Sequence, residues 1–197
     1  MRLEITTRML LDLANVTRWS AIRTIRRQNV AEHTFGVMVA ARWLADYKER
    51  NDDCALSVVP YSERDRMSKV YELALDHDGV EAVSNDMPHP FKAMYLPELK
   101  LIEASAAGHY HPDISLHVQI ADMLECIAFI GFEKTLGNQS IFEVGDDVLH
   151  RLHELGADEL VDPWIRELDL DDFPVLKMAR QLRKAKEPKE VDPECPF

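Results

Sequence analysis

YELALDHDGVEAVSNDMPHPFK, residues 71–92, begins as the end of an apolar helical stripe and finishes as turn chemistry. Met67, Val70, Tyr71 and Ala74 share one helix face, and the same face continued at helical spacing meets His77, Asp78 and Glu81. A core stripe that becomes a cluster of charged and coordinating groups marks a site. Gly79 ends or loosens the helix there, and Asn85-Asp86-Met87-Pro88-His89-Pro90 reads as a turn that delivers Lys92.

Working outward, Asn29 is an N-cap residue with Glu32 at N3, so a helix is expected to start there. Its apolar face is Val30, Val37, Ala41 and Leu44, and the gap in that stripe is filled by His33. A histidine on such a stripe is by itself more often a satisfied core residue than a ligand, so it needs partners. Residues 113–134 give a second, nearly apolar helix in which Asp122 shares a face with Val118, Cys126 and Phe129. An aspartate buried alone would be costly, which implies a cation, a basic side chain or strong donors beside it.

Further helices are expected over residues 3–14, from the cap Ser62, from Leu96 to Ala107, over 139–155 and over 172–186. Strand signals are weak, with no Asn-Gly or Asp-Gly hairpin and no internal repeat. The expectation is an all-α bundle of about six to seven helices around a single metal site. It forms one domain over residues 1–187, followed by a loose tail over 188–197. His150 and His153, spaced i,i+3, imitate a metal pair but sit with Arg151 and Glu154 on what reads as a solvated face.

A net charge of −12 argues against binding duplex nucleic acid, whose phosphates need a basic surface. No run of 18 apolar residues and no signal-peptide pattern is present, so no membrane partner and a cytoplasmic location are expected. Three widely spaced cysteines, Cys54, Cys126 and Cys195, support neither a disulfide framework nor a thiolate metal site. Against this acidic background Arg18, Arg23, Arg26 and Arg27 lie within ten residues, with Trp19 beside Arg18. That is either a solvated basic loop or an anion-binding one whose indole stacks on a base.

His33, His77, Asp78 and Asp122 together form a mixed nitrogen and oxygen set that suits one divalent transition metal such as Co²⁺, Mn²⁺, Zn²⁺, Ni²⁺ or Fe²⁺. Four protein ligands on an octahedral ion leave places for a water and a substrate oxygen. For a phosphate ester, Arg18, Arg23 and Lys92 supply positive charge, while Glu81 and Asp86 are the candidates for proton transfer.

These residues carry a resemblance. His33, His77-Asp78 and Asp122 resemble the H…HD…D signature of the HD-domain metal-dependent phosphohydrolases. RWSAIRTIRRQNVAEH (18–33), HDGVEAVSNDMPHPFK (77–92) and QIADMLE (119–125) resemble the 5′-deoxynucleotidase, YfbR-like branch, with Ser20 standing where its motif usually carries proline. The resemblance implies an all-α fold, one divalent metal, a homodimer or higher homo-oligomer, and hydrolysis of 2′-deoxynucleoside 5′-monophosphates. By the same match His33, His77, Asp78 and Asp122 are metal ligands and Arg18 and Trp19 contact the deoxynucleotide. Glu81 then orients or activates water, and Asp86 assists catalysis or recognises the sugar. Related phage enzymes act on deoxynucleoside triphosphates, some preferring dATP, so triphosphate release is the alternative. A non-catalytic nucleotide-binding helical module and a cyclic or dinucleotide phosphodiesterase are the readings of other kinds.

Overall fold

The computed structural model describes residues 5–51, 63–79, 81–86, 111–138 and 140–170. Among them the chain is helical with no strand, as the sequence predicts. Helix α1, Thr7–Asp12, is capped by the Thr6 hydroxyl and runs into a 3₁₀ turn over Leu13–Asn15, so it is shorter than the 3–14 expected. Helix α2, Val30–Arg50, starts with a complete capping box: the Asn29 side chain accepts the Glu32 N–H, and Glu32 reaches back to the Asn29 N–H. Helix α3, Glu63–Asp76, is followed by a short α4, Glu81–Ser84. Helix α5, Pro112–Thr135, begins with proline in its first turn, where the missing N–H costs no intrahelical bond. Helix α6 spans Phe142–Glu154, beginning three residues later than the 139 expected.

A 3₁₀ turn at Asp158–Leu160 and helix α7, Val161–Glu167, close the described chain. No helix was expected between 155 and 172, because Pro163 and five acidic residues in 158–169 disguise the pattern. Proline is tolerated here because it lies in the first turn. The burial of Leu160, Val161, Trp164 and Ile165, and the 2.7 Å bond from the Trp164 indole to the Leu124 carbonyl, secure the segment. The expected helices at 96–107 and 172–186, the Ser62 cap and the tail over 188–197 lie outside the described residues.

Helices α2 and α5 form the spine and run antiparallel, since His33 meets Glu125 and Ala41 meets His117. Val37, Ala41 and Leu44 of α2, Val70 and Ala74 of α3, and Ala121, Leu124 and Ile127 of α5 share one buried core with Leu149 and Leu152 of α6. Helix α5 alone among the described residues is long and apolar enough to cross a membrane, and its most apolar stretch is largely buried against its neighbours. The segment between α1 and α2 is a closed loop. An isolated antiparallel bridge joins Thr17 to Asn29, with Arg18 N–H on the Gln28 carbonyl (2.8 Å) and Val30 N–H on the Val16 carbonyl (2.9 Å).

Candidate metal centre

Helix α3 stops at Asp76, which places His77 and Asp78 in the turn before α4 rather than on the helix itself. The His77 Nδ1–H donates to the Ala74 carbonyl at 2.6 Å, which fixes the ring and leaves Nε2 as the bare nitrogen. His33 is treated the same way from the opposite side. Its Nδ1–H donates to Glu125 Oε2 at 2.5 Å, so its Nε2 also carries the lone pair. The two rings lie 5.5 Å apart, centre to centre.

Four groups converge on the space between them. Asp122 Oδ1 is 3.1 Å from His33 Nε2, and Asp78 Oδ2 is 3.3 Å from His33 Nε2 and 3.4 Å from His77 Nε2. Donor atoms of His33, His77 and Asp122 all lie within 4.8 Å of one another. Donors about 2.1 Å from one shared ion are themselves separated by roughly 3.0–3.4 Å in octahedral or tetrahedral geometry, so the spacing fits a transition metal. The same atoms are otherwise unexplained: His33 Nε2, His77 Nε2 and Asp122 Oδ1 are buried without a hydrogen-bond partner.

A supporting layer surrounds them. Glu125, unassigned by the sequence reading, accepts from His33, from Gln28 Nε2 (2.6 Å) and from Arg18 Nη1 (3.2 Å). Its signal was its place three residues after Asp122 on an otherwise apolar helix, which puts both on one face. Burial pushes its carboxyl up to about 7 against the opposing pull of Arg18 and Gln28, and burial raises the Asp122 carboxyl as well. A cation held between these groups would remove that cost. Gly36 makes room for this carboxylate, since a Cβ there would sit 2.6 Å from Glu125 Cγ.

Of the residues expected to face a substrate, Arg18 points inward, to Glu125, to Asp122 (3.6 Å) and to Cys126 Sγ (3.3 Å). Trp19 stacks on Phe129 at 5.0 Å and donates its indole N–H to Gln28 Oε1 at 2.7 Å. Its φ of +65° is a conformation a bulky residue holds only when its surroundings impose it. Asp86 meets this loop directly, its carboxylate accepting the Ser20 N–H (3.3 Å) and its carbonyl the Ser20 hydroxyl (2.9 Å). Glu81 is buried one turn on from Asp78, its N–H bonded to the Asp78 carbonyl. Arg23, Arg26 and Arg27 are exposed, and Lys92 lies outside the described residues. The loop's far side is pinned by Glu133, another residue without a sequence signal, whose carboxylate accepts the N–H groups of Ile25 (2.7 Å) and Arg26 (2.6 Å). His150 is exposed beside Glu154 and His153 pairs with Asp158, so the i,i+3 histidines form no joint site.

The bundle and its centre define an HD-domain fold. It is shared with an HD-domain phosphohydrolase of Listeria innocua (TM-score 0.59, 17% identity, covering 89% of this chain and 94% of that one). It is shared also with the cyanophage S-2L HD phosphohydrolase DatZ, solved with dA and one catalytic Zn²⁺ (TM-score 0.53, 23% identity, 93% and 99%). Within that fold the chain belongs to the 5′-deoxynucleotidase YfbR-like family, whose model matches residues 7–107, just over half of its length. A 5′-deoxynucleotidase of Pectobacterium atrosepticum is 33% identical over 94 residues, 46% of this chain and 43% of that protein. The YfbR 5′-deoxynucleotidase of Escherichia coli O1:K1 is 27% identical over 130 residues, 64% and 61%. The chain thus spans about half the length of the curated relatives it matches.

Proposed function

We propose that the protein is a divalent-metal-dependent phosphohydrolase that cleaves the 5′ phosphoester of 2′-deoxynucleoside monophosphates. One transition-metal ion is held by His33, His77, Asp78 and Asp122. The observation that carries the reading is the convergence of two bare Nε2 atoms and two aspartate oxygens beside the Arg18-Trp19 loop. Membership of the YfbR-like family and the names of its relatives support the substrate class.

When bound, the ion supplies a Lewis acid that polarises a phosphoryl oxygen and brings the pKa of a water toward neutrality. The chain's own residues do the rest. Arg18, braced by Glu125 and Asp122, holds positive charge at the edge of the centre, and Arg23 and Lys92 are the further cations the proposal assigns to the phosphoryl group. Glu81 takes the proton of the attacking water as the new P–O bond forms, and Asp86, entering the step as the carboxylic acid, gives its proton to O5′ as the bond to phosphorus breaks and is left as the carboxylate. Trp19, fixed against Phe129, crowds the 2′ position and excludes ribonucleotides. A cytoplasmic setting and a homodimer or higher homo-oligomer belong to the same proposal.

A second reading, attack at the same phosphorus of a deoxynucleoside triphosphate, is favoured by Arg23, Arg26 and Arg27, which the loop exposes. A panel of deoxynucleoside and ribonucleoside monophosphates and deoxynucleoside triphosphates, incubated with Mn²⁺ or Co²⁺, separates the two. Inorganic phosphate released from deoxynucleoside monophosphates alone is the expected result. Triphosphate release gives the second reading, and no turnover of any member overturns both.

A further inference from the structure

Gln28 is buried, and both ends of its side-chain amide are engaged. Its Oε1 accepts the Trp19 indole N–H at 2.7 Å, and its Nε2 donates to Glu125 Oε1 at 2.6 Å. The indole can only donate and a carboxylate accepts, so the amide has one orientation. The other oxygen of Glu125 holds the Nδ1–H of His33, whose Nε2 faces Asp78 and Asp122. An unbroken line of hydrogen bonds therefore runs from the Trp19 indole, through Gln28 and Glu125, to a candidate metal ligand.

The line joins two elements that need each other. Trp19 sits at φ +65°, so the loop depends on contacts such as the Gln28 bond to hold it. The orientation of Gln28 depends on Glu125, and that of Glu125 on His33 and Arg18. We propose that Gln28 is a positioning residue that couples the Trp19 loop to His33, so that metal and deoxynucleotide each tighten the binding of the other. The inference rests on the metal-dependent deoxynucleotide reading above. The reciprocity follows from linkage, because whatever fixes one end of the line raises the population in which the other is fixed.

Gln28→Leu removes both hydrogen bonds at nearly constant volume. In metal-free protein titrated with Mn²⁺ by calorimetry, the variant is expected to bind about 10-fold more weakly, the range of losses for outer partners of a metal ligand. In wild type, 2′-deoxyadenosine is expected to tighten Mn²⁺ binding, and in Gln28→Leu that effect falls at least about threefold, the remainder passing through the direct contacts of Arg18 with Glu125 and Asp122. With a deoxynucleoside monophosphate as substrate, KM rises while kcat changes by less than about threefold, the split of a positioning role. Trp19→Phe keeps an aromatic ring against Phe129 but loses the N–H. It should weaken Mn²⁺ binding about 2–3-fold in wild type and not at all in Gln28→Leu.

Mn²⁺ affinity within about twofold of wild type in a folded Gln28→Leu protein, or additive effects of the two substitutions, overturns the proposal. Should Gln28→Leu fail to fold, Trp19→Phe alone decides it, since an unchanged Mn²⁺ affinity breaks the line at its first bond. If wild type neither binds 2′-deoxyadenosine nor turns over deoxynucleotides, the functional reading has failed. The Mn²⁺ titrations then still decide whether the loop and His33 are coupled.

Discussion

His33 on α2 and His117 on α5 are both nearly inaccessible (0% and 2% exposed) and both reach across the same pair of helices, yet their nitrogens end differently. The His117 Nε2–H donates to the Ala41 carbonyl at 2.9 Å, and its Nδ1 accepts from Arg66 Nη2 at 3.1 Å. Every polar atom of that ring is satisfied by protein. His33 satisfies one nitrogen on Glu125 and leaves the other facing Asp78 and Asp122 without a hydrogen bond. Burial is therefore the same at both positions, and what distinguishes the two histidines is the unfinished side of one ring. Two turns along one helix pair separate a position where protein completes the chemistry from one where it leaves a buried imidazole nitrogen and a carboxylate oxygen without a hydrogen bond.

The largest effect should come from emptying the unfinished side. Asp78→Ala keeps the turn but removes an oxygen 3.3–3.4 Å from both imidazole nitrogens. Loss of a metal's contribution to the transition state, several kcal/mol, corresponds to a fall in kcat/KM of about 10³-fold or more. Helical circular dichroism should be unchanged. Turnover within tenfold of wild type, in protein shown to retain its metal, would mean that Asp78 is not a ligand.

The satisfied histidine should instead register in stability. Burial, aided by the charges of Arg66 and Lys48 and opposed by the bond to Ala41, lowers its pKa from 6.5 to about 4. Above pH 6.5 the ring is neutral folded or unfolded, and its contribution is fully present. As pH falls toward 4 the unfolded chain takes up a proton that the folded chain does not, and stability on the order of 3 kcal/mol is lost across that window. Chemical denaturation of wild type and His117→Gln at pH 7, 5.5 and 4.5 checks this. The wild-type curve should fall more steeply, and parallel curves would show that His117 does not carry the loss.

Much of this is legible in the sequence, and the reason is periodicity. The capping box at Asn29 and the stripe from Val30 to Leu44 locate α2, and a histidine on that stripe is visible as an exception. The same holds for Asp122 on α5 and for the stripe that runs into His77. Glu125 and Gln28 were hidden because their importance lies in contacts 97 positions apart in sequence, which no local spacing reveals. Glu133 was hidden likewise, its partners being backbone N–H groups of a loop with no regular period. Helix α7 was missed because a seven-residue segment with a proline offers too few turns to establish a face.

An intermediate effect tests whether the supporting layer matters at the unfinished histidine. In Gly36→Ala the new methyl would lie 2.6 Å from Glu125 Cγ, the root of a carboxylate held by three donors. Glu125 must shift, and His33 loses its fixed orientation. Mn²⁺ affinity should fall about 10-fold while His117, two turns along the same helix pair, keeps its pH-dependent contribution. An equal loss at both histidines would mean that the substitution disturbs the α2–α5 packing as a whole.

The smallest effect concerns the clasp between the loop and the turn after α4. Ser20 donates both its N–H and its hydroxyl to Asp86, two bonds a proline at that position could not make. Ser20→Ala removes only the hydroxyl bond, at an exposed site, so stability should change by less than about 1 kcal/mol. Under the proposed role of Asp86 its consequence lies in position, because the hydroxyl bond helps hold Asp86 against the loop. KM for a deoxynucleoside monophosphate should rise about 2–3-fold with Mn²⁺ affinity unchanged, the reverse of the Gly36→Ala pattern. If Mn²⁺ affinity falls too, Asp86 belongs to the support of the centre rather than to the surface that meets the nucleotide.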